Sequence, residues 1–277
     1  MTTPSLDAFL GSPVQRAPNA KTGNTQWAQQ HAEELKEIVR NYSARRARSL
    51  QKHLGPSELG VHCDRQVVGK LLGEPHTNHV ADPWPSFMGT AGHAELENVF
   101  QWDNQVRYVA NGLPPRWRTE TKVAPTDEHP GTADLYQPGA VEDHKFLGDT
   151  PMTKLQSPAG PPRHYVAQLG LYGLGYLRQG FPVERVVLLA WPRTTSRLDD
   201  LYVWEKPFDD SMVALIAEVL DDTKRRKQFA SEVQRGLYGL ADVSRSPSGD
   251  ECFFCPFYRP EAIDGGAGCP GTKQVKP

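Results

Sequence analysis

The chain has 277 residues, a formal net charge of −2 and four cysteines. That length suits one large domain with appendages, and the near balance of charges excludes a globally basic nucleic-acid binder. No apolar run is long enough to span a membrane, and the N-terminus lacks the charged-then-apolar pattern of a secretory signal. A cytoplasmic protein is expected, in which reduced cysteines read as metal ligands or buried thiols rather than disulfides.

Residues 1–26 are rich in Pro, Thr, Asn and Gly and predict a flexible leader, with residues 27–277 forming a single domain. Trp27 to Lys52 has helical composition and ends in a basic turn with Arg45, Arg46 and Arg48. Gly55-Pro56 breaks the chain, and Ser57-Glu58 starts a helix. Leu59, Cys63, Val67 and Leu71 follow at four-residue steps, which places Cys63 inside that helix on its buried side. Alone, such a cysteine is a small core residue. Glu74 to Phe87 holds several prolines and reads as loop. Ala91 opens a helix with Leu96, Val99 and Phe100 as its apolar stripe. His93 and Glu97 lie one turn apart on an edge of that stripe. The pair suits a metal site, and equally a capping histidine beside a surface glutamate.

Arg116 to Val123 alternates as a strand. The stretch from Gly131 to Phe146 reads as two strands, Thr132 to Tyr136 and Val141 to Phe146, joined by a turn at Pro138-Gly139. A two-residue loop pairs Tyr136 with Val141 and sets Asp134 opposite Asp143, with Lys145 on the same face as Asp143. Facing carboxylates repel, so the pair asks for a hard divalent cation, Mg²⁺ or Mn²⁺. A one-residue slip would exchange Asp143 for Glu142.

Thr150 to Pro162 is expected as a loop containing Lys154. Arg163 to Gln179 reads as a helix whose Gly170, Gly173 and Gly175 permit close approach to a sheet. Gln168 and Tyr172 stand one turn apart on it, an arrangement that by itself requires no function. Glu184 to Trp191 predicts a strand covered on both faces. Leu201 to Trp204 is a further strand, and Asp209 to Gly236 a long amphipathic helix with Met212, Leu215, Ile216, Val219 and Leu220 inward. Its basic run, Lys224 to Lys227, reads as a solvated face. Gly69-Lys70 lacks the spacing of a phosphate-binding loop, so no nucleotide-driven motor is expected. Beyond Leu237 an irregular tail carries Cys252, Cys255 and Cys269. With Cys63 these make four thiols, enough for one four-coordinate site in a region built from residues 57–72 and 237–277. A 4Fe–4S cluster and a Zn²⁺ ion both suit them, and His62 could replace one thiol at zinc.

Together these pieces resemble the PD-(D/E)XK nuclease superfamily, and within it the RecB-like exonucleases that carry an iron–sulfur cluster. Those include the CRISPR-associated Cas-four exonucleases, phage-encoded relatives and the nuclease domain of AddB. The similarity runs from Ser57 to Cys269. It rests on His93 in GHAELE, Asp134 in GTAD, Asp143-His144-Lys145 and Gln168-Leu-Gly-Leu-Tyr172, in the family's order, with one cysteine before this core and three after it. Each motif alone is weak, and their order is specific.

The resemblance implies an α/β fold, a small mixed sheet flanked by helices, with an iron–sulfur-clasped helical and loop region. It implies a metal-dependent DNA exonuclease in which His93, Asp134, Asp143 and the carbonyl of His144 hold Mg²⁺ or Mn²⁺, with help from Glu97. Lys145 would steady developing charge, Gln168 and Tyr172 would brace the site, and Lys154 and Arg163 would contact phosphate. Partners would be DNA with a free end or single-stranded, a helicase, recombination or integrase protein, and further copies of the chain. Recombination, phage DNA processing and spacer acquisition are the settings. The alternative is a DNA-binding or scaffold protein that no longer cuts, with a structural Zn or Fe–S site.

Overall fold

The chain forms two units, Met1–Ser49 and Leu50–Pro277. The structure is a computed structural model and describes residues 23–45, 53–78, 82–195, 197–246, 251–263 and 267–272. Most of the expected leader, residues 1–22, and the end of the basic turn with Arg46 and Arg48 lie outside them. In the first unit α1 (Gln26–Ala44) starts at Thr25, whose Oγ1 accepts the Ala28 amide at 3.2 Å. Its apolar residues Trp27, Leu35, Ile38 and Tyr42 are all exposed.

The second unit is built on a five-stranded sheet in the order β1 (Arg118–Val123), β2 (Gly131–Gln137), β3 (Gly139–Leu147), β4 (Val183–Pro192) and β5 (Tyr202–Pro207). Neighbours are antiparallel except β3 and β4, which run parallel. A parallel pair needs a crossover, and α5 (Asp149–Gln156) and α6 (Arg163–Arg178) supply it. Val186, Leu188 and Ala190 of β4 pack with Ala167 and Leu171 of α6 and with Met212, Ile216 and Val219 of α7 (Asp210–Gln234). Val187 and Leu189 face the other way, toward Phe100, Trp117 and Trp191. The apolar run in β4 is therefore covered on both faces, as its composition predicts. The result is a mixed α/β architecture, a five-stranded sheet flanked by helices.

Several local expectations change. The helix foreseen from Ser57 is two pieces, α2 (Pro56–Leu59) and α3 (Asp64–Leu72). Cys63 is not within a helix; it caps α3 in extended conformation (φ −79°, ψ 112°), though it is buried. Gly60 caps α2 at the break, and it lies so close to α6 that a Cβ there would stand 2.7 Å from Ala167 Cβ. The next helix, α4 (Trp84–Asp103), starts seven residues before Ala91. Prolines in a first turn forfeit only amides that have no partner there, and Asp82 Oδ1 accepts the Trp84 amide at 2.9 Å. Val99 is 46 % exposed, so the inward edge of α4 runs instead through Gly92, His93, Leu96 and Phe100. Lys154 is on helix α5 rather than in a loop. Gly170 admits α7 rather than the sheet, since a Cβ there would meet Met212 Sδ at 2.7 Å. Gly175 does meet the sheet, at Val123.

The basic run on α7 is a solvated face only in part: Lys224 is exposed, but Arg226 is not. Arg226 is 2 % exposed and gives Nε to Asp64 Oδ1 at 2.8 Å, with its other nitrogens on the carbonyls of Leu59 and His62. Arg225 reaches the same carboxylate at 2.7 Å. Burial disfavours the charge on Asp64, but the two guanidiniums outweigh it and hold its pKa at about 2. This clamp fixes the start of α3, and with it Cys63, against α7. No helix among the described residues is long and apolar enough to cross a membrane.

Candidate functional site

The β2–β3 hairpin pairs Leu135 with Glu142, Tyr136 with Val141 and Gln137 with Ala140 around Pro138-Gly139. Gly139 has φ +86°, the left-handed conformation that a type II turn needs at its second central residue. Backbone pairing stops there, and Asp134 uses its carboxylate instead: Oδ2 accepts the His144 amide at 2.8 Å. The slip toward Glu142 does not occur; Glu142 turns away and hydrogen-bonds Gln137.

Asp143 and Lys145 share the face of β3 that α6 covers. Asp143 is 1 % exposed and pairs directly with Lys145. Gln168, from α6, ties both down: its Nε2 donates to Asp143 Oδ1 at 2.8 Å and its Oε1 accepts from Lys145 Nζ at 3.2 Å. The same Nε2 lies 3.2 Å from the Tyr172 hydroxyl one turn on. The Tyr165 ring lies 5.0 Å from Lys145 Nζ.

On the other face, α4 brings His93 to the acid pair, its Nδ1 3.4 Å from Asp134 Oδ1. The approach is close because residue 92 is glycine; a Cβ there would stand 2.2 Å from the Phe146 ring. His144 turns its ring to this face, stacked on Phe100 and accepting from Trp191 Nε1 at 3.2 Å. Glu97 is not among the clustered groups; its carboxylate takes the Gln101 amide at 2.9 Å. Its place is filled by a residue that sequence reading passes over, Glu120 of β1. One ligand atom each from His93, Glu120 and Asp134 lies within 4.8 Å of the others.

The electrostatics are those of crowded acids. Burial, and then the charge of Asp134, push Asp143 up to about 6 against the pull of Lys145. Burial would raise Asp134 as well, but His93, Lys145 and the His144 amide hold it below the ordinary value. Burial opposes the charge of Lys145, yet the carboxylates of Asp143 and Asp134 keep its pKa above that of a free lysine. Burial lowers His144 to about 4, so its imidazole is neutral. Burial and the neighbouring Asp134 raise Glu120.

This donor set fits a hard divalent ion. Ligands at about 2.1 Å from an octahedral Mg²⁺ are spaced about 3 Å apart when adjacent and about 4.2 Å when opposite. The clustered atoms all lie within 4.8 Å of one another, with His93 Nδ1 3.4 Å from Asp134 Oδ1, and a cation there would offset the repulsion between the neighbouring acids. Of the two suggested phosphate contacts, Arg163 is bound to Glu218 at 2.9 Å, and Lys154 is exposed on α5.

A second centre forms where the tail returns to α3. Cys63, Cys252, Cys255 and Cys269 form no disulfide, and they line one cavity of about 220 Å³. Asn78 holds the tail there, donating to the carbonyls of Phe253 and Cys255 at 2.8 and 2.9 Å. Burial pushes the Cys255 thiol up to about 12, and the thiols of Cys63, Cys269 and Cys252 add to the effect. A buried thiol in such company ionises only beside a metal. His62 lies outside the cavity walls, exposed, with Nδ1 2.8 Å from the Ser246 carbonyl.

Three solved structures are similar to the chain. SSO0001 aligns at 17 % identity with a TM-score of 0.44, over 82 % of this chain and 94 % of that one. LHK-Exo, an alkaline exonuclease from Laribacter hongkongensis, aligns at 10 % identity and a TM-score of 0.45, over 67 % of this chain and 93 % of that one. A phage-related exonuclease from Haemophilus somnus aligns at 15 % identity and a TM-score of 0.34, over 65 % of this chain and all of its own (100 %). No protein-family model matches the sequence, and neither does any curated protein.

Proposed function

We propose that the chain is a divalent-metal-dependent deoxyribonuclease of the PD-(D/E)XK type, cutting phosphodiester bonds from DNA ends. The observation that carries this reading is the fixed constellation of Asp134, Asp143 and Lys145, with Gln168 bonded to the last two. His93, Asp134, Asp143 and the carbonyl of His144 would hold Mg²⁺ or Mn²⁺. Such an ion neutralises the scissile phosphate and lowers the pKa of a bound water. Lys145 keeps a positive charge beside the carboxylates, placed to steady charge on the phosphoryl oxygens. Gln168 restricts both β3 side chains to one arrangement, with the Tyr172 hydroxyl beside its Nε2. The neutral His144 ring adds no competing charge.

The element order α4, β1, β2, β3, α5, α6, β4 supports placement with the RecB-like and Cas-four exonucleases, whose core runs helix, three strands, helix, strand, with the short α5 as an addition to it. The four cysteines that line one cavity suit their 4Fe–4S cluster, with Zn²⁺ as the alternative occupant. In this reading residues 1–26 are a leader and residues 27–277 one nuclease domain, with 57–72 and 237–277 as its cysteine region. Recombination, phage DNA processing or spacer acquisition would supply DNA with an end, along with a helicase or integrase partner.

The test is a time course on end-labelled single- and double-stranded DNA with Mg²⁺, Mn²⁺ or chelator, using anaerobically prepared protein. Metal-dependent shortening of the strand that Lys145→Ala lacks is the expected result. Intact DNA on both substrates, from folded and metal-loaded wild type, would exclude an autonomous nuclease.

A further inference from the structure

We infer that Glu120 is a metal ligand, which together with His93 and Asp134 forms a divalent-cation position on the β1 side of Asp134. The inference deepens the proposed function and rests on its metal site. Among the described residues Glu120 is the one non-glycine with positive φ, +42°, and it sits in the middle of a strand. The β1–β2 ladder pairs Thr119 with Leu135 and Thr121 with Ala133, and is interrupted only between them, where Glu120 faces Asp134. Backbone distortion is thus confined to one residue, at the point opposite the acid that closes the site.

The distortion has a chemical outcome. It brings a carboxylate oxygen of Glu120 into the group with a ring nitrogen of His93 and a carboxylate oxygen of Asp134, within 4.8 Å of one another. Glu120 is exposed as a whole residue while its carboxylate is partly desolvated, and its side chain makes no hydrogen bond or ion pair with any described residue; His93 attracts that carboxylate, and Asp134 and Glu97 repel it. Two facing carboxylates repel, and a cation shared between Glu120 and Asp134 would offset that repulsion. Imidazole nitrogen plus two carboxylates suits Mn²⁺ and also accepts Mg²⁺. Asp134 would then bridge two positions, this one and the one it shares with Asp143 and the His144 carbonyl. Glu97, one turn beyond His93, is bonded to Gln101 and takes no part.

The experiment counts bound Mn²⁺ on the full, cluster-loaded chain by the electron paramagnetic resonance of the free ion, with no DNA present. Wild type, Glu120→Gln and Asp143→Asn are compared, with circular dichroism to confirm that each is folded. The expected result is two sites in wild type and one in each variant, with the loss in Glu120→Gln reading as a tenfold or greater weakening. Glu120→Gln that binds Mn²⁺ with wild-type stoichiometry and affinity overturns the inference, even if wild type cuts DNA. Loss of one site in Glu120→Gln supports it, even if wild type cuts nothing, a result that would sink the nuclease reading alone.

Discussion

Gln168 joins an acid and a base that would otherwise satisfy each other at many geometries. A lysine on a flexible stem can follow a carboxylate, but a carboxamide bonded to both admits one arrangement. Gln168→Leu keeps the volume and removes both bonds. Because outer-sphere partners of metal ligands typically govern 10–100-fold in affinity or activity, cleavage is expected to fall by about that factor. Urea unfolding should shift by only about 1 kcal/mol; a variant that cuts at the wild-type rate would remove Gln168 from the machinery. His129 gives a residue-scale prediction about pH. It is buried, Thr126 Oγ1 meets its Nδ1 at 2.7 Å, and its Nε2 has no partner among the described residues. Burial, then the nearby Lys227, hold its pKa below the ordinary histidine value, with Glu128 pulling the other way. The folded state therefore resists a proton that the unfolded chain accepts. This contribution is complete above the unfolded pKa of about 6.5 and is lost as pH falls through the lower folded value. His129→Gln should flatten that part of the profile of melting temperature against pH.

Elements carry what residue patterns alone do not. The pairing of β2 with β3 is legible in the sequence from alternation and the Pro-Gly turn, though a one-residue slip stays open until Asp134 meets the His144 amide, and the burial of β4 follows from its apolar run. Three features are not legible, each for the same reason. Arg226 looks like a surface cation until α3 brings Asp64 to it from 162 residues away. Cys63 keeps a helical spacing to Leu59 and Val67 although the chain breaks between them. Glu120 leaves strand alternation through a single dihedral angle that no periodicity encodes. In each case the determinant is a partner or a backbone state remote from the local pattern. The Asp64 clamp is testable: Arg226→Met leaves a buried carboxylate and two carbonyls short of a donor. Breaking a buried pair costs about 3–5 kcal/mol, with Arg225 placing the expected loss toward the lower end. Lys224→Ala, at an exposed position on the same helix, should stay within about 0.5 kcal/mol. Equal effects in urea titrations would show that Arg226 is not the fastening.

At the scale of the molecule, the cysteine cavity fastens the start of α3 to a tail with little regular structure of its own. Stability of that region should therefore depend on what the thiols hold. Cys252→Ser, or stripping by chelator under oxidation, is expected to cost about 3 kcal/mol or more, as losses of bound metal do. Limited proteolysis should then cut first between residues 251 and 272, before the sheet is attacked. A tail that stays protected in Cys252→Ser would mean that Asn78 and the backbone contacts suffice.

The separation of Cys63 from the other three thiols also sets an order of events in time. Cys63 leaves the ribosome early, and all five strands with α6 and α7 follow before Cys252 appears. The acid pair, the lysine and Gln168 can assemble while the cavity still lacks three of its four walls of sulfur. The cysteine centre is thus completed after the sheet and the acid pair in the order of synthesis. Chains cut short before the tail would carry the acid pair without the fastening, and protease would find them first.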